Sequence, residues 1–532
     1  MAKVPVANLA DVARAIEIAS AALDTTIARL AGGGPGELEA HQVVAYDMAH
    51  AAAALEGAKV AVDYGAAGEV EAQIACAFVA DALADLAGRI AGREAAWGLA
   101  AGTLDAALAA VAPYRDPQWL AGLAATQGPR HLDRDFELVA ETFRRFAQDQ
   151  IAPAAEAIHR HNTDIPESII TGLAELGAFG LSIPEAYGGF ASGGESDYLG
   201  MVVATEELSR ASLGAGGSLI TRPEILARAL VRGGTEAQKR NWLPRLANGE
   251  IMAAVAVTEP DFGSDVAGVT VSASATGDGG WVINGTKTWS TFAARADVLM
   301  LLARTDPDRS KGHRGLSLFV VEKERGDGRG FTLTQSGGGR LEGRPIDTIG
   351  YRGMHSYELS FDGWQVPAEA LVGGTDGLGR GFYLQMEGFE NGRLQTAARA
   401  VGVMQAAYEA ASKYAADRVV FGQPVERYPL SQVKLARMVV VIAVARQYMY
   451  HVGRLMARGE GALEASMVKA YVCRAAEWVT REAMQLHGGM GYAEEYPVSR
   501  YFVDARVLSI FEGADETLAL KVIARRLVER AG

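Results

Sequence analysis

The spacing of apolar and polar residues divides the chain into a helical part, a β part and a second helical part. Over the first 128 residues apolar positions recur at helical intervals, and Val12, Ile16 and Leu30 suit a first helix that ends in the glycine-rich stretch 32–36. Helical spacing continues from 131 to about 250. The further helices predicted from it are 37–65, 68–97, 100–111, 136–151, 169–181, 198–211, 223–232 and 236–246.

From Met252 onwards, short apolar runs separated by glycine turns replace the helical spacing, and Asn284-Gly285 is predicted to be one of those turns. Helical spacing returns beyond about 376. The predicted strands are 269–275, 281–283, 298–303, 316–321, 331–335 and 357–361, and the predicted last helices are 380–417, 429–457, 461–488 and 513–530. We therefore expect a mainly α fold with a central β domain. The expected domains are a helical extension (1–128), a helical domain (131–250), a β domain (251–375) and a C-terminal helical domain (376–532).

Composition excludes several classes of protein. A chain of 532 residues, 49% of them hydrophobic, is too long for one core. Its net charge of −13 argues against a main role in nucleic-acid binding. Cys76 and Cys473 are its only cysteines, so we expect neither a disulfide framework nor a metal site. The two distant cysteines indicate a reducing cytosol, so the expected location is the cytoplasm. The N-terminus lacks the apolar stretch of a secretory signal and no run is long enough to span a bilayer, so we expect a soluble protein.

One carboxylate near the C-terminus is a candidate general base. Glu512 lies between Phe511 and Gly513, close to an apolar side chain and an exposed backbone. Poor solvation of this kind raises the pKa of a carboxyl group, which suits it for proton abstraction. The alternative is a glutamate that begins a helix and interacts with its dipole.

Three other blocks accompany this one. Val257-Thr258-Glu259-Pro260-Asp261-Phe262-Gly263-Ser264-Asp265 and Asn284-Gly285-Thr286-Lys287-Thr288-Trp289-Ser290-Thr291 each follow an apolar strand, and Arg418-Val419-Val420-Phe421-Gly422 follows a long helix. With the stretch from Gln485 to Glu516, these blocks resemble the acyl-CoA dehydrogenase family over residues 131–532. The resemblance implies an α-bundle, β-barrel, α-bundle fold, FAD as cofactor and an acyl-CoA thioester as substrate.

The resemblance also implies roles for individual residues. Glu512 would remove the α-proton while the β-hydride passes to flavin N5. Ser264 would also contact the thioester end of the substrate, and Arg418 would hold the cofactor pyrophosphate, which suits its forked guanidinium. The residues expected to contact FAD are Val255, Val257, Thr258, Gly263, Ser264, Trp289, Ser290, Thr291, Arg418, Phe421, Gln432, Gln485, Gly488, Gly489, Ala514 and Glu516.

The chain departs from the family pattern at several positions. Pro429 stands where the family usually has a glutamine near the adenine, with Gln432 three residues later, and Ala514 stands where it usually has threonine. Phe292 replaces a polar residue after Trp-Ser-Thr. Some family members carry the base on an earlier helix, but that position is Gly392 here, so Glu512 is the well-matched candidate.

The long N-terminal extension narrows the resemblance to members that oxidise (2S)-methylsuccinyl-CoA to mesaconyl-CoA, in bacterial acetate assimilation through ethylmalonyl-CoA. A dicarboxylyl substrate needs a cation at the far end of its pocket, and Arg222 is the first candidate and Arg352 the second. Arg393 belongs to the same expected substrate-binding set. The alternatives are another short acyl-CoA (isobutyryl, butyryl or glutaryl), a flavin-binding relative without dehydrogenase activity, or a flavin monooxygenase of the same fold.

The same resemblance implies an electron acceptor and an oligomeric state. Electron-transferring flavoprotein is the expected electron acceptor. A homodimer is expected because the alanine-rich extension would cover the surface with which relatives pair their dimers into tetramers.

Overall fold

The computed structural model describes residues 6–34, 36–326 and 329–532, with the backbone alone at Ser196. The chain forms two compact units, of which one comprises residues up to Glu137 together with Thr396–Gly532, and the other comprises Leu138–Gln395. The first is called the helical unit and the second the sheet unit. The mainly α fold with a central sheet confirms the expected fold class.

The helical unit begins with the N-terminal extension. Its first helix starts at an Asn8 cap, whose side-chain oxygen accepts from the Ala10 and Asp11 amides. The predicted helix 37–65 is divided in two, because the backbone breaks at His41. The predicted helix 68–97 is likewise divided, and the predicted helix 100–111 begins only at Asp105. The helices are Leu9–Gly32, Glu37–Ala40, Gln42–Gly65, Glu69–Ile90, Glu94–Trp97, Asp105–Val111 and Pro117–Ala121.

The C-terminal helices of this unit pack directly on the extension. A Cβ placed on Gly57 would lie 3.3 Å from the Tyr448 ring, so the helices carrying these two residues approach closely. Arg437 and Asp81 form an ion pair at 2.9 Å across the same surface. The helices are the second part of Gly381–Asp417, then Pro429–Ala457, Ala462–Leu486, Val498–Leu508, Asp515–Thr517 and Arg525–Ala531, with a π-helical stretch Leu518–Ala524 where one helix 513–530 was predicted.

The sheet unit opens with helices. Thr235 and Gln238 form a capping box at the start of the last of them, which fixes where that helix begins. The helices are most of Arg134–Phe146, then Ala152–His161, Glu167–Glu175, Ser196–Ala211, Ser218–Gly233 and Glu236–Ala247, with π-helical turns at Ala147–Ile151 and Leu213–Gly217. The helix Ser218–Gly233 contributes Ile225 and Leu230 to a core shared with Val255 and Met300 of the sheet.

Eight strands form one sheet, and all but two of its pairings are antiparallel. In spatial order the strands are Ala253–Ala256, Val298–Arg304, Ser272–Ala275, Trp281–Thr291, Ser356–Val366, Arg340–Ile346 and Phe331–Thr334, and Leu316–Glu322 pairs with Val298–Arg304. The predicted turn at Asn284-Gly285 is wrong, because both residues lie within a long strand, where the register shifts at a bulge. The strand Arg340–Ile346 was not predicted.

In the part of the chain that the structure describes, no helix combines the length and apolar character needed to cross a membrane. Cys76 and Cys473 are both free thiols in buried positions.

Candidate active site

Two of the four blocks meet inside the sheet unit. The Thr288 amide donates to the Thr258 carbonyl at 2.8 Å. The fully buried Lys287 ammonium donates to the Val257 carbonyl at 2.7 Å and to Glu259 Oε1 at 2.8 Å. The turn after Ala253–Ala256 is therefore fixed against the strand that carries Trp289.

A buried ion pair is the electrostatic centre of this junction. Burial lowers the pKa of Lys287 to about 8, against the opposing effect of Glu259. Burial also opposes ionisation of Glu259, but Lys287 and the amides of Thr270 and Val271, which donate at 2.7 and 2.8 Å, outweigh it and lower the pKa of this carboxyl group. Sequence reasoning missed this pair, because Lys287 is flanked by Thr286 and Thr288 and nothing in this polar stretch indicates a buried ion pair.

The Trp-Ser-Thr block fits a planar polar ring. Trp289 has a left-handed backbone (φ 57°), and its side chain is 56% exposed, so an indole face is available for stacking. Ser290 Oγ is buried without a hydrogen-bond partner among the described residues. Thr291 Oγ1 lies 3.1 Å from Ser356 Oγ. An aromatic face for stacking and a hydroxyl with unused hydrogen-bonding capacity suit a planar polar ring such as a flavin.

The other residues of the sheet unit that were predicted to contact FAD form a buried group and an exposed group. Val255 and Val257 are buried at the end of their strand, whereas Gly263 and Ser264 are exposed in the turn that follows. The turn, and not the two valine side chains, is therefore open to a ligand.

Glu512 lies in the helical unit, in the loop between Val498–Leu508 and Asp515–Thr517. Its backbone is left-handed (φ 54°) and its residue exposure is only 9%. A non-glycine residue in this conformation costs about 1–3 kcal/mol and persists only where its surroundings impose it. The residue precedes the short helix rather than lying in its first turn, so the helix-dipole alternative does not describe it.

Three contacts impose the conformation of this loop. The Asp515 amide donates to the Ser509 carbonyl at 3.1 Å and closes the loop. Lys469 Nζ donates to the Gly513 carbonyl at 2.6 Å. The guanidinium of the fully buried Arg399 lies 4.7 Å from the centre of the Phe511 ring. Ala514 and Glu516 belong to the same segment.

The Arg-x-x-Phe-Gly block forms an exposed ribbon directly after the helix Gly381–Asp417. Arg418 is exposed, and Phe421 has a left-handed backbone (φ 48°) with 98% of its surface open. Tyr428 donates to the Val420 carbonyl at 2.6 Å, which ties the ribbon to the start of the helix that bears Gln432.

The glycine block at the end of Ala462–Leu486 is equally open. Gln485 is exposed, and Cβ atoms added to Gly488 or Gly489 would meet nothing within 4 Å. Gly488 has a positive φ of 58°, which explains the choice of glycine there. A bound molecule can approach this backbone closely.

The three arginines of the expected substrate set differ in their contacts. Arg222 is buried on Ser218–Gly233, and its Nη2 donates to Tyr351 Oη at 3.3 Å. Arg352 donates to the carbonyls of Thr348 (3.0 Å) and His159 (2.8 Å), a structural arrangement. Arg393 is buried on the helix Gly381–Asp417.

Glu224 is a buried carboxyl group that sequence reasoning missed. It accepts from Ser182 Oγ at 2.6 Å and from Asn391 Nδ2, with Arg228 Nε at 3.4 Å. Burial raises its pKa against the effect of these partners. It lies two residues beyond Arg222, so this part of the helix places a carboxyl group and a guanidinium in a buried setting.

The chain belongs to the acyl-CoA dehydrogenase family. Models of the N-terminal, middle and C-terminal domains of acyl-CoA dehydrogenase match residues 133–250, 254–364 and 379–528. The protein is therefore an oxidoreductase that acts on a CH–CH bond, and its family implies FAD. The expected family and enzyme class are confirmed.

One relative in the comparison is named for a particular acyl-CoA substrate. A (2S)-methylsuccinyl-CoA dehydrogenase from Cereibacter sphaeroides is 47% identical over 407 residues, which cover 76% of this chain and 72% of the relative.

Two solved structures share the fold. Butyryl-CoA dehydrogenase from Megasphaera elsdenii has a TM-score of 0.67 and 31% identity, covering 75% of this chain and 99% of that one. A structure described as the electron transferring flavoprotein of Acidaminococcus fermentans has a TM-score of 0.67 and 30% identity, covering 75% and 98%.

Proposed function

We propose that this protein oxidises (2S)-methylsuccinyl-CoA to mesaconyl-CoA, with Glu512 as the base and FAD as the oxidant. The observation that carries the proposal is the buried Glu512 carboxylate in its strained, glycine-flanked loop. The 47% identical relative supports the choice of substrate.

Glu512 takes the proton from the carbon next to the thioester carbonyl. The chemistry that a bound FAD would supply is hydride acceptance: the hydrogen of the neighbouring carbon would leave with its electron pair as the C=C bond forms between the two carbons. Burial of Glu512 limits the access of bulk water to the carboxylate. The left-handed backbone fixes the position from which the Glu512 side chain extends. Accurate placement of the base contributes strongly to the rate of proton removal.

The chain's own residues fit the cofactor in two groups. In the sheet unit, Trp289 offers a stacking face, while Ser290 and the Thr258–Ser264 turn offer hydroxyls and amides to the polar edge of a flavin. In the helical unit, Arg418 offers a guanidinium to phosphate, with Phe421 beside it and Gln432 on the adjoining helix. Gln485, Gly488, Gly489, Ala514 and Glu516 complete the proposed set.

The distal carboxylate of the substrate is assigned to Arg222. An unpaired charge in a closed pocket costs several kcal/mol, so a buried cation is needed there. Arg222 is buried and its guanidinium reaches the Tyr351 hydroxyl at 3.3 Å, whereas the Arg352 guanidinium is engaged by two backbone carbonyls. Ser264 and Arg393 are assigned to the thioester end and the adjoining helix.

We also propose an electron acceptor, an oligomeric state and a cellular location. Electron-transferring flavoprotein is the proposed acceptor, as the family resemblance implies. A homodimer in the cytoplasm is proposed, and two free, buried cysteines suit a reducing compartment. The alternatives are oxidation of isobutyryl-, butyryl- or glutaryl-CoA, and both butyryl-CoA and glutaryl-CoA dehydrogenases are among the solved structures that share the fold.

Glu512→Gln tests the proposed base. We expect the variant to retain FAD and lose flavin reduction by the substrate, because general-base catalysis contributes roughly 10²–10⁴-fold. The measurement is anaerobic bleaching of the flavin absorbance after mixing with methylsuccinyl-CoA. Near-normal bleaching would place the base elsewhere, and an inert wild type with every thioester would favour a flavin-binding protein without dehydrogenase activity.

A further inference from the structure

A polar contact joins the N-terminal extension to the loop that carries Glu512. Tyr46 and His50 lie four residues apart on the helix Gln42–Gly65 and therefore share a face. Tyr46 Oη donates to Asp515 Oδ2 at 2.5 Å, and His50 Nε2 lies 3.2 Å from the same oxygen. The two rings meet edge to face, with centres 4.5 Å apart.

The contact is built into the interior of the helical unit. The His50 side chain is 5% exposed and that of Asp515 is 13% exposed. Arg474 Nη1 adds a donor 3.3 Å from Tyr46 Oη and 3.9 Å from Asp515 Oδ2. Two residues of the extension thus converge with one basic residue on a single carboxylate.

The charges favour a fixed arrangement. Burial, followed by the Asp515 carboxylate, raises the pKa of Tyr46 to about 12, so its hydroxyl remains a donor at neutral pH. Burial opposes ionisation of Asp515, but His50 and Tyr46 outweigh it and lower the pKa of this carboxyl group. The acceptor therefore remains ionised, and hydrogen bonds to a charged group are the stronger kind.

Asp515 is also a structural end of the loop. Its amide closes residues 509–515 onto the Ser509 carbonyl at 3.1 Å, and Glu512 lies at the middle of this loop with a left-handed backbone. Such a conformation relaxes when the contacts that impose it are removed. A shift of Asp515 would therefore be passed to Glu512 over three residues of backbone.

We propose that Tyr46 and His50 are positioning residues for Glu512, and that they act through Asp515. This inference rests on the proposed role of Glu512 as the base. Neither residue falls within the matched family domains, which begin at residue 133. The extension thereby contributes to the placement of the base as well as to packing.

Anaerobic stopped-flow measurement of flavin reduction tests this role, using the holoenzyme and the thioester that wild type oxidises fastest. We expect Tyr46→Phe and His50→Leu each to lower the limiting rate about tenfold, since a misplacement of about 1 Å costs up to ~10²-fold. The half-saturating substrate concentration should change less than about twofold, and His50→Gln, which keeps a donor, should recover most of the rate.

Tyr64→Phe is the matched control. Tyr64 is a buried tyrosine on the same helix, and its hydroxyl donates to the Pro129 carbonyl at 3.1 Å. Its removal costs one comparable hydrogen bond but does not touch the loop, so the limiting rate should stay at the wild-type value.

A double-mutant cycle distinguishes positioning from general stability. Asp515→Ala should slow flavin reduction, and Tyr46→Phe added to it should cause no further loss. The slowed reaction should retain a primary isotope effect with α-deuterated substrate, because proton removal is the impaired step. Equal losses in both backgrounds, or lower thermal stability with an unchanged limiting rate, would refute the proposal. If these results refute the positioning role while Glu512→Gln still abolishes flavin reduction, the proposed role of Glu512 as the base is unaffected.

Discussion

At the scale of single residues, backbone strain coincides with the predicted chemistry. Trp289, Phe421 and Glu512 all have positive φ although none is glycine, and each lies in a different block of the family pattern. Strained residues of this kind concentrate at functional sites, where the surrounding structure holds them. These three are among eight non-glycine residues with positive φ in the part of the chain that the structure describes, and each is held in this conformation by its surroundings.

Substrate specificity is also decided by single residues. Arg222→Ala should reduce flavin reduction by methylsuccinyl-CoA by orders of magnitude, because the substrate carboxylate would lose its buried cation. A monocarboxylic thioester of similar size, such as isobutyryl-CoA, should hold steady or gain. The measurement is the ratio of the two limiting rates.

Arg352→Ala is the matched control for this prediction. It removes the donors of the Thr348 and His159 carbonyls, so it should lower the melting temperature and leave the substrate ratio unchanged. Equal losses with both substrates in Arg222→Ala would show that Arg222 is structural, and a changed ratio in Arg352→Ala would transfer the role to that residue.

At the scale of secondary-structure elements, the Lys287–Glu259 pair joins a turn to a strand. Lys287→Met should destabilise the protein by about 3–5 kcal/mol, because Glu259 would remain buried without its cation. We also expect loss of FAD, since the pair aligns the Thr258 turn with Trp289. Urea unfolding and the ratio of flavin to protein absorbance measure the two effects.

The double variant Lys287→Met/Glu259→Gln provides the control. It removes both charges and keeps an acceptor oxygen, so it should recover a large part of the stability that Lys287→Met loses. If the single variant retains full stability and full FAD content, the pair does not organise the junction.

Comparison of the predicted and observed helices and strands shows how much of the fold the sequence alone predicts. Helices with long apolar periodicity were predicted closely, such as Pro429–Ala457, predicted at 429–457. Arg340–Ile346 was missed because Arg340 and Arg344 face solvent and Gly343 and Pro345 interrupt the strand pattern. Asn284-Gly285 has the composition of a turn, but its strand pairs with a neighbouring strand on each edge, so the dipeptide forms a bulge instead. Tertiary pairing overrides local preference in these cases.

The same limit applies to the site. Motifs located Glu512, Trp289 and Arg418 along the chain because their spacing is a property of sequence. The Lys287–Glu259 pair and the contact of Tyr46 with Asp515 depend on residues 28 and 469 positions apart. No local pattern specifies such pairs, so only the fold identifies them.

At the scale of the whole molecule, the extension and the C-terminal helices form one compact unit. Alanine-rich faces allow the close helix packing observed at Gly57 and Tyr448. If this packing occupies the surface that relatives use to pair dimers, the full-length protein should be a dimer of twice its 56.2 kDa chain mass. Light scattering coupled to size-exclusion chromatography measures this, and a stable tetramer would contradict it.

The most direct test of the account is anaerobic flavin reduction by the wild-type protein with a panel of thioesters at equal concentration. The panel is methylsuccinyl-, isobutyryl-, butyryl- and glutaryl-CoA. We predict that methylsuccinyl-CoA bleaches the flavin fastest, by at least about tenfold, the ratio that 1.4 kcal/mol of preferential transition-state binding gives. Faster bleaching by butyryl- or isobutyryl-CoA would contradict the dicarboxylate assignment, and no bleaching by any of the four would contradict the proposed dehydrogenation of a short acyl-CoA.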